Sequence, residues 1–294
     1  MTPVRRAILI KGPGGSDTLE QGGEQDLLKM ERFLLSADSG SWMQHEICVL
    51  RNPSKDQVLR EVGRTNADYS LTYFSGHGLV EGTDSWLSIN KHEFISELSL
   101  LNSSPRQLII GDHCRGRLSD RISGIPEEPA ELFQGAEWQK ARRVFDQAIL
   151  RSPVGITFVW AASLGQKAWG ISDGGAFTRE LLDLVHRWRA SERLAPIYID
   201  QLIPYINKAL GKGAYAQNPE LLTGQGALQV PFALTMPRAF DNYRPLPEYP
   251  RESKHIDVYP GHWENPSLQR DDNGTALILA LGAVGALWLL SRGR

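Results

Sequence analysis

Cysteine is scarce in this sequence. The 294 residues include two cysteines, Cys48 and Cys114, which are too few for the disulfide framework that stabilises many secreted domains. The segment 1–6 before the first apolar run is also too short for a secretory signal peptide. We therefore expect the globular part of the chain to be intracellular.

An excess of charge of either sign is also missing. Lys and Arg total 32 and Asp and Glu total 34, which gives a net charge of −2. Such a balance does not indicate a nucleic-acid partner. The glycine-rich loop 12–16 lacks the Gly-Lys-Ser/Thr ending with which a phosphate-binding loop contacts phosphate and metal. The sequence therefore favours neither a nucleic-acid ligand nor a nucleotide cofactor.

Long hydrophobic runs are scarce in the sequence, and the most apolar one, Thr275–Leu290, carries no charge. As a helix this run spans about 24 Å, at about 1.5 Å per residue, against a hydrocarbon core of about 30 Å. A buried core helix is the alternative. Trp288 near one end and the polar segment before the run favour the membrane. We predict a Pro-rich linker over 236–272 and a transmembrane helix with a short basic tail over 273–294.

The orientation of this membrane helix is predicted from two opposing signals. Arg292 and Arg294 alone favour a cytoplasmic C-terminus, with residues 1–235 on the other side of the membrane. No export signal is present to carry those residues across. We therefore expect a single-pass C-terminal anchor that leaves residues 1–235 in the cytoplasm.

Strand-like and helix-like segments alternate over residues 1–235. This alternation is typical of an α/β protein whose mostly parallel sheet carries helices on both faces. Ser54 and Gln57 have the spacing of a capping box at the start of the second helix. The predicted strands are Arg6–Lys11, Glu46–Leu50, Tyr69–Phe74, the run through Leu108–Ile110, Gly155–Ala162, and a last apolar run around Phe232–Leu234. The predicted helices are Glu24–Ser36, 54–65, Glu93–Leu101, Ala136–Leu150, Ala176–Ala190 and Ile199–Leu210.

Cys114 follows one of these buried strands, among ionisable residues and glycines. In open α/β sheets, reactive groups collect just beyond the carboxyl ends of the strands. A thiolate is the reactive form of cysteine, and a thiol with its ordinary pKa of about 8.5 needs a base or a positive neighbour to ionise at neutral pH. His77, between Gly76 and Gly78, follows the strand before it. If the two strands are parallel neighbours, the imidazole and the thiol meet at one edge of the sheet.

Four motifs together resemble the caspase, metacaspase and paracaspase clan of cysteine peptidases. They are Ser75-Gly76-His77-Gly78, Asp112-His113-Cys114-Arg115-Gly116, Ala161-Ala162-Ser163 at the end of a strand, and Gly174-Gly175-Ala176-Phe177-Thr178 at the start of a helix. The resemblance covers about residues 5–235. It implies a caspase-like three-layer sandwich and peptide-bond hydrolysis without a cofactor.

The resemblance also implies roles for the catalytic groups. Cys114 is the expected nucleophile, and His77 the expected acid and base. The backbone amides of Gly78 and Cys114 are the expected donors to the oxyanion, since glycine lets the backbone approach a substrate closely.

Further residues are expected to contact the substrate. Asp112, two places before the cysteine, matches the acid with which metacaspases and paracaspases bind the residue that precedes the cut. A carboxylate can accept two hydrogen bonds from one guanidinium, so we expect cleavage after Arg, with Lys second. A turn or cap role for Asp112 is the alternative. Ser75 and Ser163 are expected to edge the groove, and Asp173 to add negative charge. Arg115 either holds the thiolate or ties its loop.

Three other possibilities stay open. His77, Asp112, His113 and Cys114 have side chains that can bind zinc, although neighbouring strand residues point to opposite faces. The segment 117–151 carries Arg117, Arg121, Lys140, Arg142, Arg143 and Arg151 and is a candidate for self-cleavage. The fold is also compatible with an inactive membrane-tethered binding module. A calcium site is not expected, because the loop 79–90 offers only Glu81 and Asp84 as carboxylates.

Overall fold

A computed structural model describes residues 2–14, 16–81, 84–115, 136–188, 190–191, 193–212, 216–224 and 229–237. The predicted membrane helix at 273–294 lies outside these residues, as does the predicted linker apart from its first two residues. No helix within the described ranges has the length and apolar character needed to cross a bilayer.

The secondary structure alternates along the chain as the sequence predicts. The strands are β1 Arg5–Lys11, β2 Ile47–Arg51, β3 Tyr69–Ser75, β4 Gly78–Glu81, β5 Asp84–Ser88, β6 Phe94–Ser96, β7 Arg106–Asp112, β8 Gly155–Trp160, β9 Gly170–Ile171, β10 Gly174–Gly175, β11 Ala190–Ser191, β12 Ala195–Tyr198, β13 Glu220–Thr223 and β14 Pro231–Pro237. The α-helices are α1 Asp17–Leu35, α2 Lys55–Arg64, α3 Ala136–Arg151, α4 Ala176–Trp188 and α5 Ile199–Leu210. Single 3-10 turns occupy Ala37–Ser39, Gln44–Glu46 and Glu97–Leu100.

Six strands form the central sheet, in the order β13-β8-β7-β3-β1-β2. The pairs from β2 to β8 are parallel, and β13 joins β8 antiparallel at one edge. The expectation of a mostly parallel sheet is confirmed.

Helices cover both faces of this sheet because its strands are apolar on both sides. On β1, Ala7 and Leu9 belong to the larger core, which includes apolar residues of α1, α3, α4 and α5. Ile8 and Ile10 point the other way, into a smaller core with Val58 and Val62 of α2. Successive strand residues face opposite sides, so the result is a three-layer α/β arrangement.

Three predicted elements differ from the structure. α1 begins at Asp17, where the Ser16 hydroxyl accepts from the Leu19 amide, N···O 3.4 Å, well before the predicted start at Glu24. The predicted helix Glu93–Leu101 is wrong, since a strand, β6, and a 3-10 turn occupy that segment. Ser96 ends the extended part by accepting from the Leu98 amide through its hydroxyl. β14 is a strand but lies outside the central sheet, between β11 and β12.

Candidate active site

The candidate site lies at the carboxyl ends of β3 and β7. The two strands are parallel neighbours, with Ser75 in register with Asp112. Just beyond Ser75, the Gly76 amide donates to the Asp112 carbonyl at 3.3 Å. The expectation that these two strand ends meet at one sheet edge is confirmed.

His77 and Cys114 line one cavity at this edge. Its other walls come from the loop after β1, the middle of α1, the segment 167–170 and the two glycines of β10. The structure therefore brings together, around one cavity, the two residues that the sequence singles out as a nucleophile and its base.

The Cys114 side chain is half-buried in this structure. Its Sγ donates to the Ala168 carbonyl at 3.5 Å. The backbone beside it is held by the same segment, because the Arg115 amide donates to the Gln166 carbonyl at 3.0 Å. Burial raises the pKa of the Cys114 thiol, and the Asp112 charge raises it further, while the Ala168 contact and Lys167 act in the opposite direction. The resting thiol is therefore protonated at neutral pH.

Gly78 lies directly against the backbone of Cys114. A Cβ on Gly78 would lie 2.8 Å from the Cys114 carbonyl oxygen and would also clash with the His113 ring. Only glycine fits there without a shift of its neighbours. The two residues expected to donate to an oxyanion are thus in contact.

Two buried carboxylates line the cavity. Asp112 is 6% exposed, and its Oδ2 accepts from the Thr178 amide at 3.1 Å and from the Thr178 hydroxyl at 2.7 Å. Asp26 of α1 is 3% exposed and accepts from the Ser75 hydroxyl and the Gly175 amide, both at 2.8 Å. Burial raises the pKa of both acids, and the neighbouring Asp112 charge raises the pKa of Asp26 further.

Sequence reasoning missed Asp26. It lies in an ordinary stretch of polar helix residues, and nothing in its spacing distinguishes it from a solvated acid. The one sequence signal is the pair Gly22-Gly23, one turn before Asp26, because each glycine inside a helix lowers the stability of the helix by about 1 kcal/mol. Both glycines line the cavity, so the missing side chains leave space beside Asp26.

Of the expected substrate contacts, Ser75 and Asp112 line the cavity, while three other residues are directed elsewhere. The Ser163 hydroxyl donates to the Asn218 carbonyl at 2.9 Å. Arg115 Nη1 donates to Glu220 Oε2 at 2.6 Å, and its guanidinium lies 4.1 Å from the centre of the Trp160 ring. Asp173 pairs with Lys29, whose Nζ also donates to the Asp173 carbonyl at 2.6 Å. The structure supports a loop-tying role for Arg115 and gives no support for substrate contacts by these three residues.

The zinc alternative finds no support in the described residues. They contain no cluster of three or more His, Cys, Asp or Glu side chains arranged to hold a metal ion. His113 is 1% exposed and packs edge-on against Phe74, with ring centroids 5.8 Å apart. Asp112 instead bonds to Thr178 of α4, so the two side chains lie on opposite faces of the sheet.

Comparison with known proteins gives a family for the chain. Residues 5–225 match the caspase domain family. Among solved structures, caspase-1 from Spodoptera frugiperda is 13% identical, covers 74% of this chain and 87% of its own, and superposes with a TM-score of 0.47. A protein from Geobacter sulfurreducens is 16% identical, covers 75% and 93%, and has a TM-score of 0.48. No curated protein matches the chain.

The family match spans most of the sequence and contains every residue of the candidate site. A mixed α/β domain with a mostly parallel sheet, and a histidine and a cysteine around one cavity, define the class as caspase-like. The chain belongs to the caspase domain family of cysteine peptidases.

Proposed function

We propose that this protein is a cysteine endopeptidase that uses Cys114 and His77. The observation that carries the proposal is that both residues line one cavity at the ends of two adjacent parallel strands. Cys114 gives its proton to His77, and the thiolate attacks the scissile carbonyl carbon. His77 then protonates the departing amine, which leaves a thioester on Cys114.

Hydrolysis of the thioester completes the cycle. Water loses a proton to His77 and adds to the thioester carbonyl, and Cys114 leaves as a thiol once it has regained a proton. We assign the stabilisation of the oxyanion in both steps to the amides of Gly78 and Cys114, and the close approach of the two residues supports this assignment.

We propose that the residue before the cut is basic, with Arg preferred over Lys. Asp26 and Asp112 are both buried against the cavity, and the hydrogen bonds that they accept come from neutral donors. An arginine side chain would supply a delocalised positive charge and a planar set of N–H donors to this pair. The same two acids disfavour an acidic side chain in the cavity.

A set of fluorogenic peptides tests this function. Peptides that differ only in Arg, Lys, Gln or Asp before the reporter group are offered to the full chain and to a Cys114→Ala variant. We expect the full chain to release the reporter group faster from the Arg peptide than from the Lys peptide, and only slowly from the Gln and Asp peptides. The Cys114→Ala variant is expected to release none. Equal release by the variant would contradict the assignment of Cys114.

An inactive binding module is the second candidate, and one observation favours it. The thiol donates to the Ala168 carbonyl, and its raised pKa lowers the thiolate fraction at neutral pH. The peptide assay separates the two candidates when it includes preparations in which the chain has been cut within 117–151.

Self-cleavage within 117–151 is a further proposal, and the structure narrows its sites. Lys140, Arg142, Arg143 and Arg151 lie on α3, where the backbone is helical, whereas a peptidase needs an extended segment. Arg117 and Arg121 lie outside the described residues and are the favoured sites. Incubation of the purified chain beside Cys114→Ala is expected to give two fragments from the first and none from the second.

We also propose that Thr275–Leu290 attaches the protein to a membrane and leaves the peptidase domain in the cytoplasm. This rests on the sequence pattern alone, since the segment lies outside the described residues. Membrane sedimentation of the full chain beside a chain that ends at residue 272 tests the attachment. We expect only the full chain to sediment with vesicles, and a full chain that stays in the supernatant would contradict the proposal.

A further inference from the structure

Behind Cys114 lies a buried acid–imidazole pair that the reaction described above does not use. His113 is 1% exposed and Glu97 is 4% exposed. His113 Nδ1 lies 3.0 Å from the Cys114 carbonyl oxygen, and His113 Nε2 lies 3.6 Å from Glu97 Oε1. The pair therefore connects the backbone of the proposed nucleophile with the 3-10 turn after β6.

The hydrogen-bond partners limit where the protons are. A carbonyl oxygen only accepts, so His113 Nδ1 carries a hydrogen. Among the residues that the structure describes, His113 Nε2 is buried and has no hydrogen-bond partner, and it faces Glu97 Oε1 just beyond hydrogen-bond range. If Nε2 were unprotonated, its lone pair would point at a buried carboxylate. Protonation of Nε2 replaces this repulsion with an ion pair.

A hydrogen bond from Trp160 also holds the Glu97 carboxylate in place. The Trp160 indole N–H donates to Glu97 Oε1 at 2.6 Å. Burial acts to raise the pKa of Glu97, but the contacts with His113 and Trp160 and the charge of Arg115 outweigh it, so the pKa is lowered. The ionisable groups around the pair and Cys114 are Asp112, on the opposite face of β7, Arg115 with its partner Glu220, and His77 and Lys167, which line the same cavity. Arg115 is the nearest permanent cation among these groups, and Glu220 neutralises it.

We propose that Glu97 and His113 are positioning residues that hold an imidazolium behind Cys114, fix the Cys114 carbonyl and favour the thiolate once the site opens. A positive charge beside a cysteine stabilises its ionised form. The close packing of the His113 ring on Gly78 extends the same contact to the expected oxyanion donor. The inference deepens the proposed function, because it takes Cys114 as the nucleophile.

The test measures the thiol directly, without a peptide substrate. The rate of Cys114 alkylation by iodoacetamide is followed against pH in the full chain, with modification located by mass spectrometry. Glu97→Gln keeps an acceptor for Trp160 but removes the charge. His113→Asn keeps a donor near the Cys114 carbonyl but has no charge. Asp146→Asn, which breaks a buried ion pair with Arg5 on another part of the fold, is the control.

We expect Glu97→Gln and His113→Asn to move the alkylation midpoint upward by about one pH unit, which is a rate on the order of tenfold lower at neutral pH. Asp146→Asn is expected to lower the melting temperature without moving the midpoint. Unchanged midpoints in folded Glu97→Gln and His113→Asn would overturn the proposal and leave the pair a packing role.

A second measurement covers the case in which these variants fail to fold. In the unmodified chain with nitrogen-15 histidine, the proposal predicts one solvent-protected ring with both nitrogens protonated at neutral pH. A protected ring with the neutral signature would overturn it. The alkylation profile and the peptide assay test different claims. If the protein cleaves peptides but the alkylation midpoint is the same in the variants, the proposed role of Glu97 and His113 is refuted. If the midpoint moves but no peptide is cleaved, the proposed function is refuted.

Discussion

At the scale of single residues, the proposed specificity depends mainly on the two cavity acids, Asp26 and Asp112. Asp112 was predictable because it lies two places before Cys114 in a recognisable motif. Asp26 was not, because its burial depends on how α1 packs against β3 and β10. The resemblance predicts a groove position for Ser163, and the loop before α4 a charge role for Asp173, but their hydrogen bond and ion pair are with Asn218 and Lys29. Residue type and position therefore predict that His77 and Cys114 line one cavity, whereas the other residues of that cavity are set by the packing of α1 and β10.

Removal of one cavity charge is expected to change the specificity of the peptidase. Asp112→Asn retains an acceptor for Thr178 but removes one of the two carboxylates of the cavity. Loss of one partner of a buried charge pair costs several kcal/mol, so kcat/KM for an Arg peptide should fall on the order of a hundredfold. The Gln peptide should change little. Kinetics on both peptides check this, with Asp173→Asn as a control that is expected to keep the Arg preference.

The same acids are expected to reduce the stability of the empty protein. Because the pKa of Asp26 is raised by folding, its contribution to stability is fully present below the ordinary aspartate pKa of about 4 and is lost as the pH rises through the raised value. Asp26→Asn should therefore raise the melting temperature at neutral pH and give no gain in acid. Thermal melts of both proteins at neutral and at acid pH check this, and a lower melting temperature of Asp26→Asn at neutral pH would contradict it.

At the scale of secondary-structure elements, the apolar strands were predicted to within two residues, because buried parallel strands are continuous apolar runs between turn formers. Two errors in the predicted helices arose where the local sequence pattern and the tertiary packing favour different structures. Gly22 and Gly23 weaken the helical pattern of the first two turns of α1, so the predicted start at Glu24 comes too late. The segment after Asn90 has helical spacing, yet Phe94–Ser96 pairs with β5. The order of strands in the sheet is a property of the packing that the sequence pattern did not specify.

The glycines of α1 give a prediction at this scale. A Cβ on Gly23 would make ordinary contacts, at 3.4 Å from Lys11 Cγ, so Gly23→Ala should stabilise the helix by about 1 kcal/mol. It should also narrow the cavity beside Asp26 and raise KM for the Arg peptide. Gly63→Ala in α2, where a Cβ meets nothing within 4 Å, is the matched control. Thermal melts and kinetics should show similar stabilisation in both variants and a higher KM only in Gly23→Ala.

At the scale of the whole molecule, the segment 116–135 joins two halves that share one sheet. β7 ends the first half and β8 belongs to the second, and the two strands are parallel neighbours from Arg106 and Gly155 onward. Arg5 at the start of β1 donates to Asp146 of α3, with Nε 2.8 Å from Oδ1. The two halves are therefore held together by a continuous core and a buried ion pair.

A cut in this segment should leave the molecule intact. With a protease site introduced after Arg121 in the Cys114→Ala background, we expect the two fragments to elute together on gel filtration and to separate only in denaturant. The reason is that the larger core contains residues of both fragments, and Ile156 and Phe158 of the second fragment pack against the smaller core. Separation under native conditions would show that the segment itself holds the halves together.

The central claim is that one cavity presents the Cys114 thiol to a peptide whose preceding side chain is bound by Asp26 and Asp112. The most direct test is covalent labelling with peptidyl acyloxymethyl ketones that end in Arg or in Asp, followed by mass spectrometry. The account predicts one adduct with the Arg reagent, located on Cys114, and its loss in His77→Ala and Asp112→Asn. Equal labelling by both reagents, or an adduct on Cys48 instead, would contradict it.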